Sequence, residues 1–272
     1  MGDEGERGGD KVNKMKLTAI IIVSPDSDRS GLERTVRSVG FADEVLVEEI
    51  KAPIKDFAKV RNEVLSRAKN DWVFFLDADE EVSEELKEEI KKVTGNSYKD
   101  YKNYNISGYY FRRRDRFLGR WLGHGETASV RLLRLARKDA GRWERPVHEV
   151  WKVGGRTGEF KNPIWHYSHE SVDGMVEKLD RYSEIEAEYR FYKTNKLTKE
   201  QTNKKTNKSL DNKIIKTWLL VEMAVFPMGK FVVNYFWRLG VLDGMEGFIH
   251  AVMMSGHSLL VRTKMLSRMD AN

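Results

Sequence analysis

Cysteine is absent from all 272 residues. That excludes disulfides, a thiol nucleophile and any cysteine metal cluster, and nothing in the composition argues for an oxidising compartment. The opening MGDEGERGGDKVNKMK has no apolar core of the signal-peptide kind, and Glu6 stands where a myristoylation motif wants Ser or Thr. Residues 1–15 are expected to be a disordered tail. No internal repeat is evident. What the chain does have is 40% hydrophobic content, enough for a real core in one large domain or one domain with a sizeable appendage.

The formal charge of +6 is a regional property. Residues 193–216 hold eight Lys against one Glu and one Asp. Such a stretch is either a solvated linker or a contact for anionic lipid headgroups or nucleic acid, each Lys being worth about 1 kcal/mol near an anionic membrane surface. We read 193–213 as a Lys/Asn/Thr-rich linker between a catalytic domain, 16–192, and a C-terminal amphipathic helical region, 214–272.

KLTAIIIVS is an apolar run of strand length, and SGLERTVRSV spaces Leu32, Val36 and Val39 for a helix. ADEVLVEEI, DFAKVRNEVLSRAKN and DWVFFLDAD repeat the strand, helix, strand alternation. This pattern predicts an α/β fold with a mostly parallel sheet and helices on both faces. Ser83 is positioned to N-cap a helix over VSEELKEEIKKV. Residues 106–167 read as strand-rich, and the helical period returns from SVDGMVEKLDRYSEIEAEYRFY.

In the last region, Glu222, Pro227, Lys230 and Arg238 interrupt the apolar run too often for a comfortable ~20-residue membrane span. Trp218, Phe226, Tyr235, Phe236 and Trp237 beside basic residues suit helices lying on an anionic membrane surface. The same helices could instead pack as a subdomain on the sheet.

The stretch VFFLDADEEV ends an apolar strand on two carboxylates, Asp77 and Asp79. Ligands bind beyond the carboxyl ends of parallel strands, and each acid raises the other's pKa unless a cation lies between them. Mg²⁺ or Mn²⁺ would resolve the conflict, its shell completed by waters and phosphate oxygens, so the implied partner is a diphosphate.

NDWVFFLDADEEVSEEL, preceded by FAKVRNEVLSRA and followed by FLGRWLGHGE, VRLLRLARKDAGRWERPVHEVWKVGG and IWHYSHESVDGMVEKLDRYSEIEA, resembles the family 2 glycosyltransferases. The resemblance is to the branch that extends lipopolysaccharide cores, and it covers nearly the whole chain after residue 16. It implies a GT-A fold and an inverting hexosyl or heptosyl transfer. The donor would be a nucleotide sugar, a UDP-sugar in the first instance, and the acceptor a lipid-linked or envelope glycan. The place implied is the cytoplasmic face of the cell membrane, and no nucleic-acid partner is expected.

On that resemblance Asp77 and Asp79 form the metal-binding pair, with Asp79 the direct ligand and Asp77 facing sugar or ribose. Glu149, in Val147-His148-Glu149, is the catalytic base that takes the acceptor hydroxyl's proton. Arg61 and Asn62 match the family's Arg-Asn and would shape the donor pocket. Arg131 and Arg134 could put guanidinium groups on phosphate oxygens, but their three-residue spacing puts them on opposite strand faces, so one is expected to point inward. His166 and His169 have metal-ligand spacing, yet without a third clustered ligand they read as packed or hydrogen-bonded histidines.

The chain departs from that family in its nucleotide pocket. Where the family has an Asp-containing turn and a further helix and strand, only VEEIKAPIKDFAKVRN intervenes, with Glu48 and Glu49 where the turn would begin. SPDSD replaces an Asn-Glu pair after the first strand. Two other readings follow from the same residues. One is a degenerate glycosyltransferase fold that binds membranes or polyanions. The other is a haloacid-dehalogenase-type phosphatase with Asp77 as nucleophile, although Glu81 stands where that family has Thr or Val.

Overall fold

A computed structural model describes residues 16–25, 27, 29–52, 56–95, 106–146, 149–201 and 208–270, without the side chains of Ser30, 195–201 and 208–213. The expected tail, and Val147 and His148, lie outside the described residues.

The chain opens with β1 (Leu17–Val23), α1 (Arg29–Ser38), β2 (Glu44–Glu49), α2 (Phe57–Arg67) and β3 (Trp72–Asp77). β1 lies between β2 and β3 and is parallel to both. Successive strand residues point to opposite faces. Ile20, Ile22, Val73 and Phe75 pack with Ala58, Val64 and Leu65 of α2. Ala19, Ile21, Trp72, Phe74 and Leu76 pack on the other side with Leu32 and Val36 of α1. Both faces are covered, which is why these strands read as continuous apolar runs. β2 goes straight to α2, so it forms one end of the sheet.

After Asp77 come β4 (Glu80–Val82) and α3 (Glu84–Thr94). Ser83 caps α3, its Oγ accepting from the Leu86 amide at 3.2 Å, with Glu84 and Glu85 in the first turn and Lys91 and Lys92 in the last. That charge order suits the helix dipole. Leu86 and Ile90 are fully buried in the core shared with α1.

The strand-rich half contains β5 (Ile106–Phe117), β6 (Arg120–Trp121), a short α4 (Gly125–Ala128), β7 (Arg131–Arg137), β8 (Gly141–Glu144), β9 (Val150–Val153), β10 (Arg156–Glu159) and β11 (Ile164–His169). β7 enters antiparallel between β3 and β5. β11 runs parallel to β5 and antiparallel to β4, giving the order β2-β1-β3-β7-β5-β11-β4. The expected parallel arrangement is thus three strands wide. Beyond it the sheet is mixed: β7 and β4 pair antiparallel, while β10 and β11 run parallel to β5. β8 and β9 form a separate hairpin.

The C-terminal part holds α5 (Val172–Gln201), α6 (Lys208–Val232), a π-helical turn over Val233–Trp237, a 3₁₀ turn over Gly240–Asp243 and α7 (Gly244–Asp270). Most of the expected linker 193–213 is therefore helical: 193–201 continue α5, and α6 starts at Lys208. Lys, Glu and Gln are strong helix formers, so a high charge density does not stop a helix. Ala187, Leu219, Val261 and Met265 join the three helices in one small core. Phe117 and Leu122 pack against Met175, Leu179 and Ile249, and the Asp243 carboxylate accepts from the Gly123 and His124 amides at 3.0 and 2.8 Å. The helical region is thereby docked on the β5–β6 turn.

Ile214–Trp237 is, by length and composition, long and apolar enough to cross a membrane despite its interruptions, and only 11% of it is buried. Its exposed residues include Trp218, Phe226, Met228 and Phe236, with Trp237 85% exposed.

The Ser83 cap gives a direct test of how α3 is started. Ser83→Ala should lower unfolding free energy by about 1 kcal/mol in urea titration, with the midpoint shifted and the slope unchanged.

Candidate active site

Asp77 continues the odd-numbered series Val73 and Phe75, which faces α2, so its carboxylate meets that helix. The residue it meets is Arg61. On α2 the buried positions are Ala58, Arg61, Val64 and Leu65, which places Arg61 on the apolar face and not on the surface. Its guanidinium rests over the rings of Trp143, at 4.7 Å, and Phe75, at 5.5 Å. Those rings and Trp151 form a packed aromatic platform.

Arg61 holds two acids from different parts of the chain. Nη2 donates to Asp77 Oδ1 at 2.6 Å, and Nε donates to Glu149 Oε1 at 2.9 Å. From β7, Arg134 Nη2 donates to Asp77 Oδ2 at 2.6 Å and lies 3.5 Å from Glu80 Oε1. Burial pushes Asp77 upward, but Arg134 and Arg61 outweigh it and hold the carboxyl far below the usual range. Glu80 is fully buried; that burial, opposed by Arg134 and reinforced by Asp77, raises its carboxyl above the ordinary value. Three buried nitrogens of the pair, Arg61 Nη1 and Arg134 Nε and Nη1, make no hydrogen bond among the described residues. Unpaired buried donors are costly.

Asp79 faces a second group. Its Oδ2 lies 3.5 Å from His166 Nε2 and 3.8 Å from Lys178 Nζ. His166 Nδ1 is 2.8 Å from Asp115 Oδ1, and Asp115 also accepts from Arg113 Nε at 2.9 Å. Burial and Arg113 work against a charged imidazole, yet Asp79 and Asp115 raise His166 to about 9. Burial and the charges of Lys178 and His166 lower His169 to about 4. His169 makes an edge contact with Phe117 and lines a cleft of about 270 Å³ with Arg116, Gly119, Tyr167 and Glu170.

Of the eight catalytic and donor-site candidates, the structure joins Asp77, Arg61, Arg134 and Glu149 by direct contacts and sets Asp79 beside them, facing His166 and Lys178. The other three lie elsewhere. Asn62 exchanges hydrogen bonds with the Trp143 backbone, both at 2.9 Å, and so pins β8 beneath Arg61. Arg131 is turned away and paired with Glu159 at 2.6 Å, as the opposite-face argument requires for one of the two arginines. Glu48, opposite Ile22 on β2, is ion-paired with Arg67. It shares the sheet edge with Asp77 but stands two strands away, roughly 10 Å by strand spacing.

A divalent cation suits this donor set only in part. Each oxygen of Asp77 accepts from a buried arginine, so its charge is already balanced by the protein. Asp79 keeps a hard carboxylate oxygen at a partly open position, which is enough when phosphates complete the shell. No group of three His, Asp or Glu among the described residues is arranged to hold a metal by itself. The neighbours Arg113, Asp115 and Lys178 were not singled out from sequence. Only the alternation of RRRDRF hints at Asp115.

Residues 17–143 match the Glycosyl transferase family 2 model. A relative from Rickettsia bellii (strain RML369-C), described as an uncharacterized glycosyltransferase, is 27% identical over 198 residues, 62% of this chain and 65% of its own length. The chain thus spans just under two thirds of that curated relative. Among solved structures the chain is similar to S. aureus TarS 1–349, with 9% identity and a TM-score of 0.38 over 95% of this chain and 92% of that one. It is also similar to the same protein in complex with UDP-GlcNAc, with 10% identity and a TM-score of 0.40 over 95% and 93%. The family match and the mixed α/β sheet with its C-terminal helices identify the fold as GT-A.

Removing Arg61 takes a buried guanidinium from Glu149 and leaves Asp77 with Arg134 alone. Arg61→Ala should cost roughly 3 kcal/mol or more of stability, as for a broken buried pair, whereas Arg131→Ala should stay within about 0.5 kcal/mol. Paired denaturant titrations read both.

Proposed function

We propose that this chain, whose residues 17–143 carry a glycosyl transferase family 2 domain, moves a sugar from a nucleotide-diphosphate donor to a lipid-linked or envelope glycan, with inversion at the anomeric carbon. The observation that carries this reading is the single guanidinium of Arg61 joining Asp77, at the strand end, to Glu149, from the loop before β9. Donor-side and acceptor-side acids are thereby held in one site.

In this reading the diphosphate lies beyond the end of β3 beside Asp79. Arg61 and Arg134, kept in place by Asp77, supply fixed positive charge next to it, where preorganised charge is most effective. Asp77 itself faces the sugar or ribose. Asp79 would hold Mg²⁺ or Mn²⁺, whose part would be to neutralise charge growing on the departing nucleotide.

Glu149 has one oxygen on Arg61 and a side chain 17% exposed, which leaves Oε2 for an incoming acceptor hydroxyl. It would accept that proton as the hydroxyl oxygen attacks the anomeric carbon and the sugar-phosphate bond breaks, the electron pair leaving with the nucleotide. The sugar is a hexose or heptose and the acceptor resembles a lipopolysaccharide core; both rest on the sequence resemblance.

We also place the protein on the cytoplasmic face of the cell membrane. Trp218, Phe226, Met228, Phe236, Trp237, Leu242 and Met245 are exposed along one helical region, and exposed aromatic and aliphatic side chains of this kind suit a lipid interface.

Two measurements test these proposals. In a screen of nucleotide sugars with Mn²⁺, Glu149→Gln should lower kcat by ~10²–10⁴ with nucleotide affinity unchanged; equal turnover by wild type and variant would sink the base assignment. In vesicle sedimentation the protein should bind phosphatidylglycerol-containing vesicles, and the double change Met228→Asp with Trp237→Asp should lose most of that binding. No binding by wild type would refute the membrane location.

A further inference from the structure

We infer that Tyr182 of α5, set in a corner with Phe57 of α2, is the surface against which the transferred sugar lies, and that it is specific to the sugar and not to the nucleotide. The inference rests on the donor-site reading and deepens it. Arg61, Arg134 and Asp79 serve a charged diphosphate, whereas a sugar ring also needs an apolar contact.

Three observations support it. First, α5 has two working sides. Met175, Leu179 and Ala187 are buried against α7 and the β5–β6 turn. Lys178, Tyr182 and Tyr189 share a neighbouring side of the helix by their spacing, and each meets the catalytic region. Lys178 Nζ is 3.8 Å from Asp79 Oδ2, the Tyr182 ring is 6.3 Å from that of Phe57, and the Tyr189 ring is 6.0 Å from the guanidinium of Arg145, on the loop that leads to Glu149.

Second, the Tyr182 contact closes a rim. Phe57 stands one helical turn before Arg61, whose guanidinium bonds both Asp77 and Glu149. Lys178 stands one turn before Tyr182. Asp79, Lys178, Tyr182, Phe57, Arg61 and Asp77 therefore follow one another around one opening, with the acids on one side and the two rings on the other. Burial raises the Tyr182 hydroxyl above its ordinary value, Arg181 opposes that, and Asp77 and Asp79 add to it, in keeping with a ring that looks toward those acids.

Third, the rings have the chemistry for a sugar. Both are half-buried, and they tilt by 57°, which makes a corner and not a closed stack. One face of a pyranose is lined with C–H groups, whose weak positive character suits the negative face of an aromatic ring. Ligand sites commonly combine such apolar walls with a few fixed polar groups. A diphosphate has no face of this kind, so removal of the ring should be felt by the sugar alone.

The test uses the full chain with Mn²⁺. UDP-glucose, UDP-galactose, UDP-N-acetylglucosamine, GDP-mannose and ADP-glucose are titrated calorimetrically, and the tightest is compared with its own nucleoside diphosphate. Tyr182→Ala should weaken the nucleotide sugar ~10-fold and leave the diphosphate unchanged, while Tyr182→Phe should keep both affinities. Equal weakening of the two ligands, or of neither, would overturn the assignment and leave the donor site standing. A second measurement does not depend on the alanine variant folding. In protein deuterated everywhere except at tyrosine, saturation of the tyrosine rings should pass to the sugar ring protons of the bound donor, and Tyr182→Phe should abolish that transfer. No transfer in wild type, or transfer that persists in Tyr182→Phe, would equally refute the contact. Failure of every nucleotide sugar and diphosphate to bind would overturn the donor-site reading itself.

Discussion

Asp77 lies between two buried guanidinium groups, one on each of its oxygens. Arg61 and Arg134 come from α2 and β7, on different sides of β3, and neither could stay ionised and buried without a carboxylate to meet it. Their shared partner ties a helix and two strands at one point. Through the Nε of Arg61 the same tie extends to Glu149, eighty-eight positions later in the chain. The conflict expected between two acids at a strand end is thus settled by the protein's own cations, Arg134 and Arg61 for Asp77 and His166 and Lys178 for Asp79.

That tie needs a rigid bed. Phe75, Trp143 and Trp151 form one beneath Arg61, and Asn62, one residue on, fixes Trp143 by its backbone. Neighbouring positions of α2 therefore serve one end: one carries the charge, the other positions the ring on which it rests. β9 begins one residue after Glu149 and supplies Trp151. The aromatic packing that shields Arg61 thereby also holds the strand that follows Glu149.

Much of this was legible in the sequence because it depends on short-range pattern. The alternation over 17–77 is visible as apolar runs and helical spacing, and the acids at the end of β3 follow from where such a strand stops. The spacing of Arg131 and Arg134 told that one would face away, though not which. Asp115 and His166 were not legible as a pair, because they meet only once β11 is laid beside β5, fifty-one positions apart. The extension of α5 to Gln201, into the Lys-rich segment, is not legible for another reason: charge density suggests a linker, while the same residues favour a helix.

β2 stands at the rim of the sheet, with no further strand beyond it among the described residues. Such a rim invites a second copy to add its own strand. β2 carries Glu44, Glu48 and Glu49 within six residues, paired respectively with Lys69, Arg67 and Arg29. A row of charged side chains along an open edge resists self-association, because a docking copy would have to strip water from acids facing identical acids. The open rim thus carries its own guard against edge-to-edge pairing.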